Sequence, residues 1–303
     1  MSVVSVVARL FFRCFVSFCI VQFNSFATAS IVVDQVSSPH KKCCDKIHRY
    51  GGRLGVYAMD LASGHVFALN ATQRFPLCST SKVMTVAAVL KKSMNEPGLL
   101  RHVVHYTAKA VAQSGYAPVV SRHVKRGMTV KALCLAAVRD SDNAAANLLM
   151  RQVGGPDGVT AFARSIGDQT FNLTRWEPEL NTAYPGDVRD TSTPSAMARS
   201  LAKIVFGHVL AEKQRRLFVD SMLSSTTGGS RIRTAVPGGW LVADKTGTGD
   251  YGVTNDIAVI WSPRGRPIVL TVFYRQPLRH ALANSAIVAQ AAAVVVAAFS
   301  HAD

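Results

Sequence analysis

Three short motifs place residues suited to acyl-transfer chemistry in order along the chain. They are Ser79-Thr80-Ser81-Lys82, Ser141-Asp142-Asn143 and Lys245-Thr246-Gly247. Ser79 and Lys82 are three residues apart, so a helix would hold the hydroxyl and the amine on one face. A serine hydroxyl is a weak nucleophile until a base takes its proton. The motifs therefore predict a nucleophile beside an amine, a proton relay and a cationic wall.

A single motif of this kind has little specificity. The S-x-x-K pattern also occurs at Ser38–Lys41 and Ser200–Lys203, whereas S-D-N and K-T-G each occur once. A fourth element, the run Arg-Trp-Glu-Pro-Glu-Leu-Asn at 175–181, lies between the second and third motifs. With all four in this order, the chain resembles the class A serine β-lactamases from about Gly51 to about Pro277.

The resemblance implies a catalytic set of five residues. Ser79 would attack the β-lactam carbonyl and form an acyl-enzyme, and Ser141 would pass a proton to the departing ring nitrogen. Two bases are open for activating Ser79, either Lys82 directly or Glu177 through a water. Glu177 and Asn181 would position the water that hydrolyses the ester.

The resemblance also implies a substrate-binding set, which comprises Asn143, Lys245, Thr246, Gly247, Thr248, Arg231 and Tyr116. Backbone N–H groups of Ser79 and Thr248 would form the oxyanion hole. Arg231 would serve the substrate carboxylate, or else be an ordinary surface arginine. Tyr116 would gate the pocket, or else be a packing residue. Arg175 and Asp190 would form a salt bridge that closes the loop around Glu177.

The first 29 residues have the pattern of a secretory signal peptide. Arg9 and Arg13 lie in an apolar stretch that ends at Ala27-Thr28-Ala29, an A-x-A cleavage site. A membrane anchor is disfavoured because Arg13 interrupts the apolar run. We expect a mature catalytic domain of residues 30–303, exported to the periplasm or secreted.

The chain is strongly basic, with a formal charge of +16 over 303 residues. Lys and Arg look dispersed along the sequence, and no nucleic-acid-binding motif accompanies them. We therefore expect a solvated basic surface, a small-molecule β-lactam substrate, no nucleic-acid partner, no stable membrane anchor and a monomer. The nine histidines form no H-x-H or H-E-x-x-H pattern, so no metal or cofactor is expected.

The six cysteines are Cys14, Cys19, Cys43, Cys44, Cys78 and Cys134. The first two would leave with the signal peptide. The resemblance implies that Cys134 would pair with the position of Val86, and Cys78 with that of Gly249. Neither position holds a cysteine, so Cys78 and Cys134 are expected to be buried free thiols.

Hydrophobic patterning predicts an α/β fold. The predicted strands are Arg53–Asp60, His65–Asn70, Leu241–Thr246, Ile257–Ser262 and Pro267–Tyr274, with a final helix at Ala281–Phe299. Helices are predicted between them, beginning at Ser79. This order implies an antiparallel sheet formed by both termini and flanked by helices, plus an inserted all-α subdomain. The α/β part would span about 30–76 and 224–303, and the helical part about 77–223.

Two other functions use related motifs. A penicillin-sensitive D,D-peptidase is acylated and then stalls, and the Glu177 loop disfavours it. A β-lactam sensor would need a membrane span or an effector domain, and neither is evident in the sequence. We therefore expect hydrolysis of penicillins and cephalosporins, while the missing cysteine partner at Gly249 disfavours efficient carbapenem hydrolysis.

Overall fold

The computed structural model describes residues 41, 45 and 51–300. The strands are β1 (Arg53–Asp60), β2 (Val66–Leu69), β3 (Phe75–Pro76), β4 (Val103–Val104), β5 (Met128–Thr129), β6 (Thr191–Ser192), β7 (Leu241–Gly249), β8 (Val253–Trp261) and β9 (Pro267–Arg275). The α-helices are α1 (Lys82–Lys92), α2 (Ala108–Gln113), α3 (Val130–Arg139), α4 (Asn143–Arg151), α5 (Gly155–Ser165), α6 (Pro194–Phe206), α7 (Glu212–Leu223), α8 (Ile232–Ala235) and α9 (Ser285–Ser300). Short 3₁₀ turns occur at Cys78–Ser81, Leu99–Arg101, Val120–His123 and Glu179–Asn181.

Both ends of the described chain contribute to one antiparallel sheet. The strand order is β2-β1-β9-β8-β7, and each neighbouring pair runs antiparallel. The hairpin of β1 and β2 therefore lies beside strands that come from the C-terminal quarter of the chain. The predicted fold class, an antiparallel sheet built by both termini, is confirmed.

Helices cover the two faces of this sheet. Side chains of α9, including Val288 and Val295, share a buried core with Leu270 and Val272 of β9. Helix α6 packs against β1 and β9. Burial of an aliphatic side chain of this size stabilises a fold by about 1.5–3 kcal/mol, so the sheet is a rigid support for the strand that carries Lys245.

Helix α1 lies at the centre of the helical region and contacts α3, α4, α5 and α7. Every residue from Lys82 to Leu90 is buried, which is the burial expected for a helix enclosed on all sides. Such a helix has little freedom to shift, so it fixes the residues at its N-terminal end. The described residues form one compact unit, and the division into two subdomains stays a prediction.

Two strands near the site are longer than the sequence pattern predicts. Strand β7 continues to Gly249, and β8 begins at Val253 with polar residues that are buried and hydrogen-bonded to other segments. Asn255 Nδ2 donates to Pro76 O at 2.7 Å, and Asp256 Oδ2 accepts from Ile232 N at 3.1 Å. Polar residues with such partners can occupy a buried strand, although they break the apolar pattern.

Helix boundaries also differ from the predictions at the N-terminal ends. The final helix begins at Ser285 and not at Ala281. Asn284 caps its first turn, since Asn284 Oδ1 accepts a hydrogen bond from Ile287 N. Helix α1 begins at Lys82, so Ser79 lies in the 3₁₀ turn just before it. The spacing of Ser79 and Lys82 still places both on one side.

The expected signal peptide, residues 1–29, lies outside the described residues, as do Cys43 and Cys44. In the part of the chain that is described, no helix is long and apolar enough to cross a membrane. Cys78 and Cys134 are buried and unpaired, as predicted. Burial in apolar surroundings raises the pKa of the Cys134 thiol to about 12, so this side chain is an inert packing group.

Candidate active site

The 3₁₀ turn Cys78–Ser81 presents Ser79 at the entrance to α1. A glycine lets β7 approach this turn closely. A Cβ atom at Gly247 would lie 2.8 Å from Leu77 O and 3.2 Å from Thr80 N. Any larger residue would therefore push β7 away from the serine. Gly247 is predicted as a substrate-binding residue, and the structure gives it this spacing role.

Lys82 lies at the centre of the site and contacts four of its residues. Its Nζ lies 2.9 Å from Ser79 Oγ, 2.8 Å from Ser141 O and 2.6 Å from Asn143 Oδ1, and it is buried. Glu177 Oε1 lies 3.0 Å away, with both side chains about 1% exposed. An ammonium group has three N–H donors, and these oxygens satisfy all of them. The carboxylate supplies the opposite charge that a buried ammonium requires.

The S-D-N segment connects α3 to α4 across the site. Ser141 adopts a left-handed backbone conformation with φ of 57°, which non-glycine residues rarely adopt. Asp142 caps α4 through Ala145 N and also accepts from the N–H groups of Val119 and Val120 at 2.9 Å each. These bonds hold Ser141 in its strained conformation with its hydroxyl directed between two lysines.

Lys245 is the second of these lysines. Its Nζ donates to Ser141 Oγ at 2.9 Å and to Thr246 O at 2.8 Å, and the residue is fully buried. Burial lowers the pKa of Lys245 well below its ordinary value, and the nearby charge of Lys82 adds to this effect. Ser141 Oγ also lies 3.5 Å from Lys82 Nζ, so the hydroxyl bridges the two amines.

The loop after α5 places Glu177 and Asn181 beside Lys82. Asn181 Nδ2 donates to Glu177 Oε2 at 2.5 Å, while Asn181 Oδ1 accepts no hydrogen bond from the described residues. Asn147 holds the backbone of Glu177 from both sides, since its Nδ2 donates to Glu177 O at 2.9 Å and its Oδ1 accepts from Glu177 N at 3.0 Å. Asn147 therefore fixes the height of the carboxylate above α4.

The base of this loop is closed by the ion pair that the sequence predicts. Arg175 Nε lies 2.5 Å from Asp190 Oδ2, and Asp190 is only 1% exposed. Asp190 Oδ1 also accepts from the N–H groups of Thr174 and Arg175. A carboxylate with this many donors holds the two ends of the loop together.

A second set of contacts ties the loop to the turn between β7 and β8. Asp250 N donates to Asn181 O at 2.9 Å. The rings of Tyr184 and Tyr251 meet edge to face with centroids 6.4 Å apart, and Arg279 lies over Tyr184 at 5.6 Å. We name Tyr184, Tyr251 and Arg279 the aromatic latch. It fixes the backbone of Asn181 relative to the sheet.

Arg231 is buried behind β7, with 7% of its surface exposed. It donates to Gly247 O at 2.9 Å, Asn255 O at 2.6 Å and Thr248 Oγ1 at 2.7 Å. The alternative of an ordinary surface arginine is therefore wrong. Because Thr248 Oγ1 accepts from Arg231, the hydrogen of that exposed hydroxyl is left to point toward the open side of the strand.

A family model described as "Beta-lactamase enzyme family" matches residues 40–299. A carbapenem-hydrolyzing β-lactamase KPC of Klebsiella oxytoca is 51% identical over 80% of this chain and 83% of its own. The chain belongs to the class A serine β-lactamase family. β-Lactamase CTX-M-97 of Escherichia coli is 48% identical over 82% of this chain and 85% of its own. The crystal structure of a β-lactamase from Desulfarculus baarsii superposes with a TM-score of 0.85 at 43% identity, over 88% of this chain and 98% of that one.

Within this β-lactamase the structure brings together the predicted residues Ser79, Lys82, Ser141, Asn143, Glu177, Asn181 and Lys245. The predicted residues Thr246, Gly247 and Thr248 follow Lys245 on β7, and Thr246 Oγ1 is 2.7 Å from Thr227 Oγ1. Tyr116 lies at the edge, because its carbonyl accepts from Asn143 N at 2.8 Å while its side chain leaves the residue 59% exposed. In the described part of the chain, no cluster of His, Cys, Asp and Glu is arranged to hold a metal ion.

Two residues of this β-lactamase site escape the sequence analysis. Asn147 follows Asn143 by four residues on α4, so helical spacing alone could have placed both amides on the same face. Thr227 precedes α8 in an irregular segment, and no local pattern indicates that it meets Thr246. Its role follows only from the tertiary packing.

Proposed function

We propose that this β-lactamase is exported and hydrolyses penicillins and cephalosporins through an acyl-enzyme on Ser79, so that it confers resistance to these antibiotics. The observation that supports this most is the position of Lys82 Nζ, within 3.0 Å of both Ser79 Oγ and a Glu177 carboxylate oxygen. The Lys82 amine is therefore already within proton-transfer distance of both the nucleophile and the Glu177 carboxylate.

In the first step, Ser79 Oγ bonds to the lactam carbonyl carbon while the hydroxyl proton moves to a base. One route uses Lys82 Nζ directly, after Lys82 has released a proton to solvent, and the other uses Glu177 through a water. The ring C–N bond then breaks. Ser141 Oγ, hydrogen-bonded to Lys245 Nζ, gives its proton to the departing nitrogen and regains one from a neighbouring lysine.

Substrate binding would use the other wall of the site. Lys245 supplies positive charge to the substrate carboxylate, and the hydroxyls of Thr246 and Thr248 donate hydrogen bonds to it. Arg231 acts through Thr248, since its guanidinium holds that hydroxyl at 2.7 Å. Asn143 Nδ2 already donates to Ser114 O at 3.0 Å, so the amide is oriented to serve both Lys82 and the acyl side chain.

In the second step, Glu177 removes a proton from a water whose oxygen attacks the ester carbonyl. The ester C–O bond then breaks, Ser79 Oγ takes up a proton from Lys82 Nζ, and Lys82 regains one from Glu177. Asn181 supports this role, because its Nδ2 holds Glu177 Oε2 and its Oδ1 is left to orient the water. The carboxylate is what distinguishes a hydrolase from a D,D-peptidase, which would remain acylated.

The substrate range is proposed from the pocket wall beside Ser79. A Cβ atom at Gly249 would lie 2.6 Å from Cys78 Sγ, so the two residues are in contact but cannot form a disulfide. One relative is named as carbapenem-hydrolyzing. We propose that the unbridged Cys78 and Gly249 leave this enzyme a poor carbapenemase.

A chromogenic cephalosporin tests the activity directly. The purified protein should hydrolyse it with multiple turnovers, and a Ser79→Ala variant should not. A single burst of one product per enzyme would instead indicate a penicillin-binding protein or a sensor. N-terminal sequencing of periplasmic material should find Ser30 first, and Met1 there would contradict export with cleavage.

A further inference from the structure

A 43-residue stretch beside the site carries only positive charge. Residues 97–139 contain seven Lys or Arg and no Asp or Glu, so they supply +7 of the formal +16 charge. The acidic residues that bound it are already engaged, since Glu96 pairs with Lys92 at 3.6 Å and Asp140 with Arg139 at 3.0 Å. The dispersed charge expected from the sequence is therefore locally concentrated.

The elements that carry these charges contact one another in pairs. Strands β4 and β5 pair through Val103 with Thr129, and Val130 N donates to His102 O at 3.0 Å. A Cβ at Gly127 would lie 2.6 Å from Val104 O, so only a glycine lets the turn close against β4. We name the exposed side chains carried by these elements the basic face, which comprises Arg101, Lys109, Arg122, Lys125, Arg126 and Lys131.

The six side chains of the basic face have no protein counter-charge. Among the described residues, no carboxylate lies within ion-pair distance of any of them. Three histidines, His102, His105 and His123, are exposed among them. Like charges held together without acids repel one another, so an anionic surface that neutralises several at once would be attracted.

We infer that the basic face binds the anionic headgroup layer of a phospholipid bilayer, as a peripheral contact. The feature that favours a bilayer over a soluble polyanion is Val103, an aliphatic side chain that is 40% exposed and lies beside Gly127, next to Lys125 and Arg126 in the chain. Cations around an exposed apolar residue are typical of proteins that lie on a membrane surface. A polyanion in solution would be attracted by the charges alone.

Vesicle sedimentation of the purified protein tests this. The protein should bind vesicles containing about 30% phosphatidylglycerol at low salt and should be released from them at about 0.5 M NaCl. It should not bind vesicles of pure phosphatidylcholine. The double variant Lys125→Glu/Arg126→Glu should bind at least tenfold more weakly. The variant Lys91→Glu/Lys213→Glu makes the same charge change at exposed lysines elsewhere and should bind as the unaltered protein does.

Val103→Ser separates a bilayer from a generic polyanion. It should weaken vesicle binding severalfold but leave retention on a heparin column unchanged. The inference is overturned if the protein ignores anionic vesicles, if both double variants lose binding equally, or if Val103→Ser has no effect on vesicles. Hydrolysis of a soluble cephalosporin by every variant reports folding, so the result does not depend on the proposed catalytic steps.

Discussion

Replacement of Glu177 by glutamine separates the two proposed chemical steps. Glutamine has nearly the same shape, so it fits a site where Glu177 is 3% exposed. Lys82 would keep three acceptors, namely Ser79 Oγ, Ser141 O and Asn143 Oδ1, for its three N–H groups. The geometry of the first step therefore survives, whereas the base for ester hydrolysis is lost.

The size of the effect follows from the role assigned to the carboxylate. A positioned general base contributes about 10²–10⁴-fold to a rate, which is about 3–5 kcal/mol in the barrier. Glu177→Gln should therefore react with benzylpenicillin and then accumulate the covalent adduct, with turnover reduced at least about a hundredfold. Intact-protein mass spectrometry would show the added mass of one ring-opened penicillin.

Glu179→Gln is the matched control, because this exposed carboxylate lies in the same loop, two residues further on. It should turn over normally. Normal turnover by Glu177→Gln would refute the assignment of the hydrolytic base. Absence of any adduct would show that Glu177 is needed for the first step as well, so that Lys82 alone cannot be its base.

Three further predictions concern the substrate-binding residues Arg231 and Lys245 and the loop that carries Glu177. Arg231→Ala should lower kcat/KM about tenfold to a hundredfold, mostly by raising KM, because Thr248 loses a charge-assisted hydrogen-bond partner. Steady-state kinetics measures this, and an unchanged kcat/KM would show that Arg231 has no role in substrate binding. Because the pKa of Lys245 is lowered and its protonated form binds the substrate carboxylate, kcat/KM should fall with rising pH at a lower pH than for an ordinary lysine. In pH profiles of kcat/KM, Lys245→Arg should move this alkaline decline to higher pH. A decline that does not move would belong to another group. Tyr251→Ala should slow hydrolysis of the acyl-enzyme about 2–10-fold, because Asn181 is held less firmly, whereas Tyr251→Phe should not slow it. Single-turnover kinetics measures this rate. Equal rates in the two variants would show that the aromatic latch has no part in the mechanism.

The identity of the chemical groups could be predicted from the sequence, because residue type and local spacing carry that information. Ser79 and Lys82 lie within one helical turn, and Glu177 and Asn181 within one loop, so each pair is held together by nearby backbone. The loop-closing pair of Arg175 and Asp190 was implied by the resemblance to class A β-lactamases. The antiparallel sheet also followed from the order of strands and helices.

Local patterns failed where polar groups are buried by distant segments. The start of β8 is polar in sequence, yet it is a buried strand in which Asn255 donates to Pro76 O and Asp256 accepts from Ile232 N, both from remote parts of the chain. The burial of Arg231 likewise depends on β7 and β8, which supply its carbonyl acceptors Gly247 O and Asn255 O. Such partners are visible only once the chain has folded.

The sequence by itself determined which residues could attack, transfer protons and carry charge, since these properties belong to the side chains. Only the tertiary structure decided that Lys82 joins Ser79 to Glu177, that Asn147 holds the backbone of Glu177, and that the six cations of the basic face lie beyond ion-pair distance of any carboxylate in the described residues. The physical reason is that electrostatic and hydrogen-bond energies depend on distances between atoms, and those distances are set by packing between elements far apart in the chain.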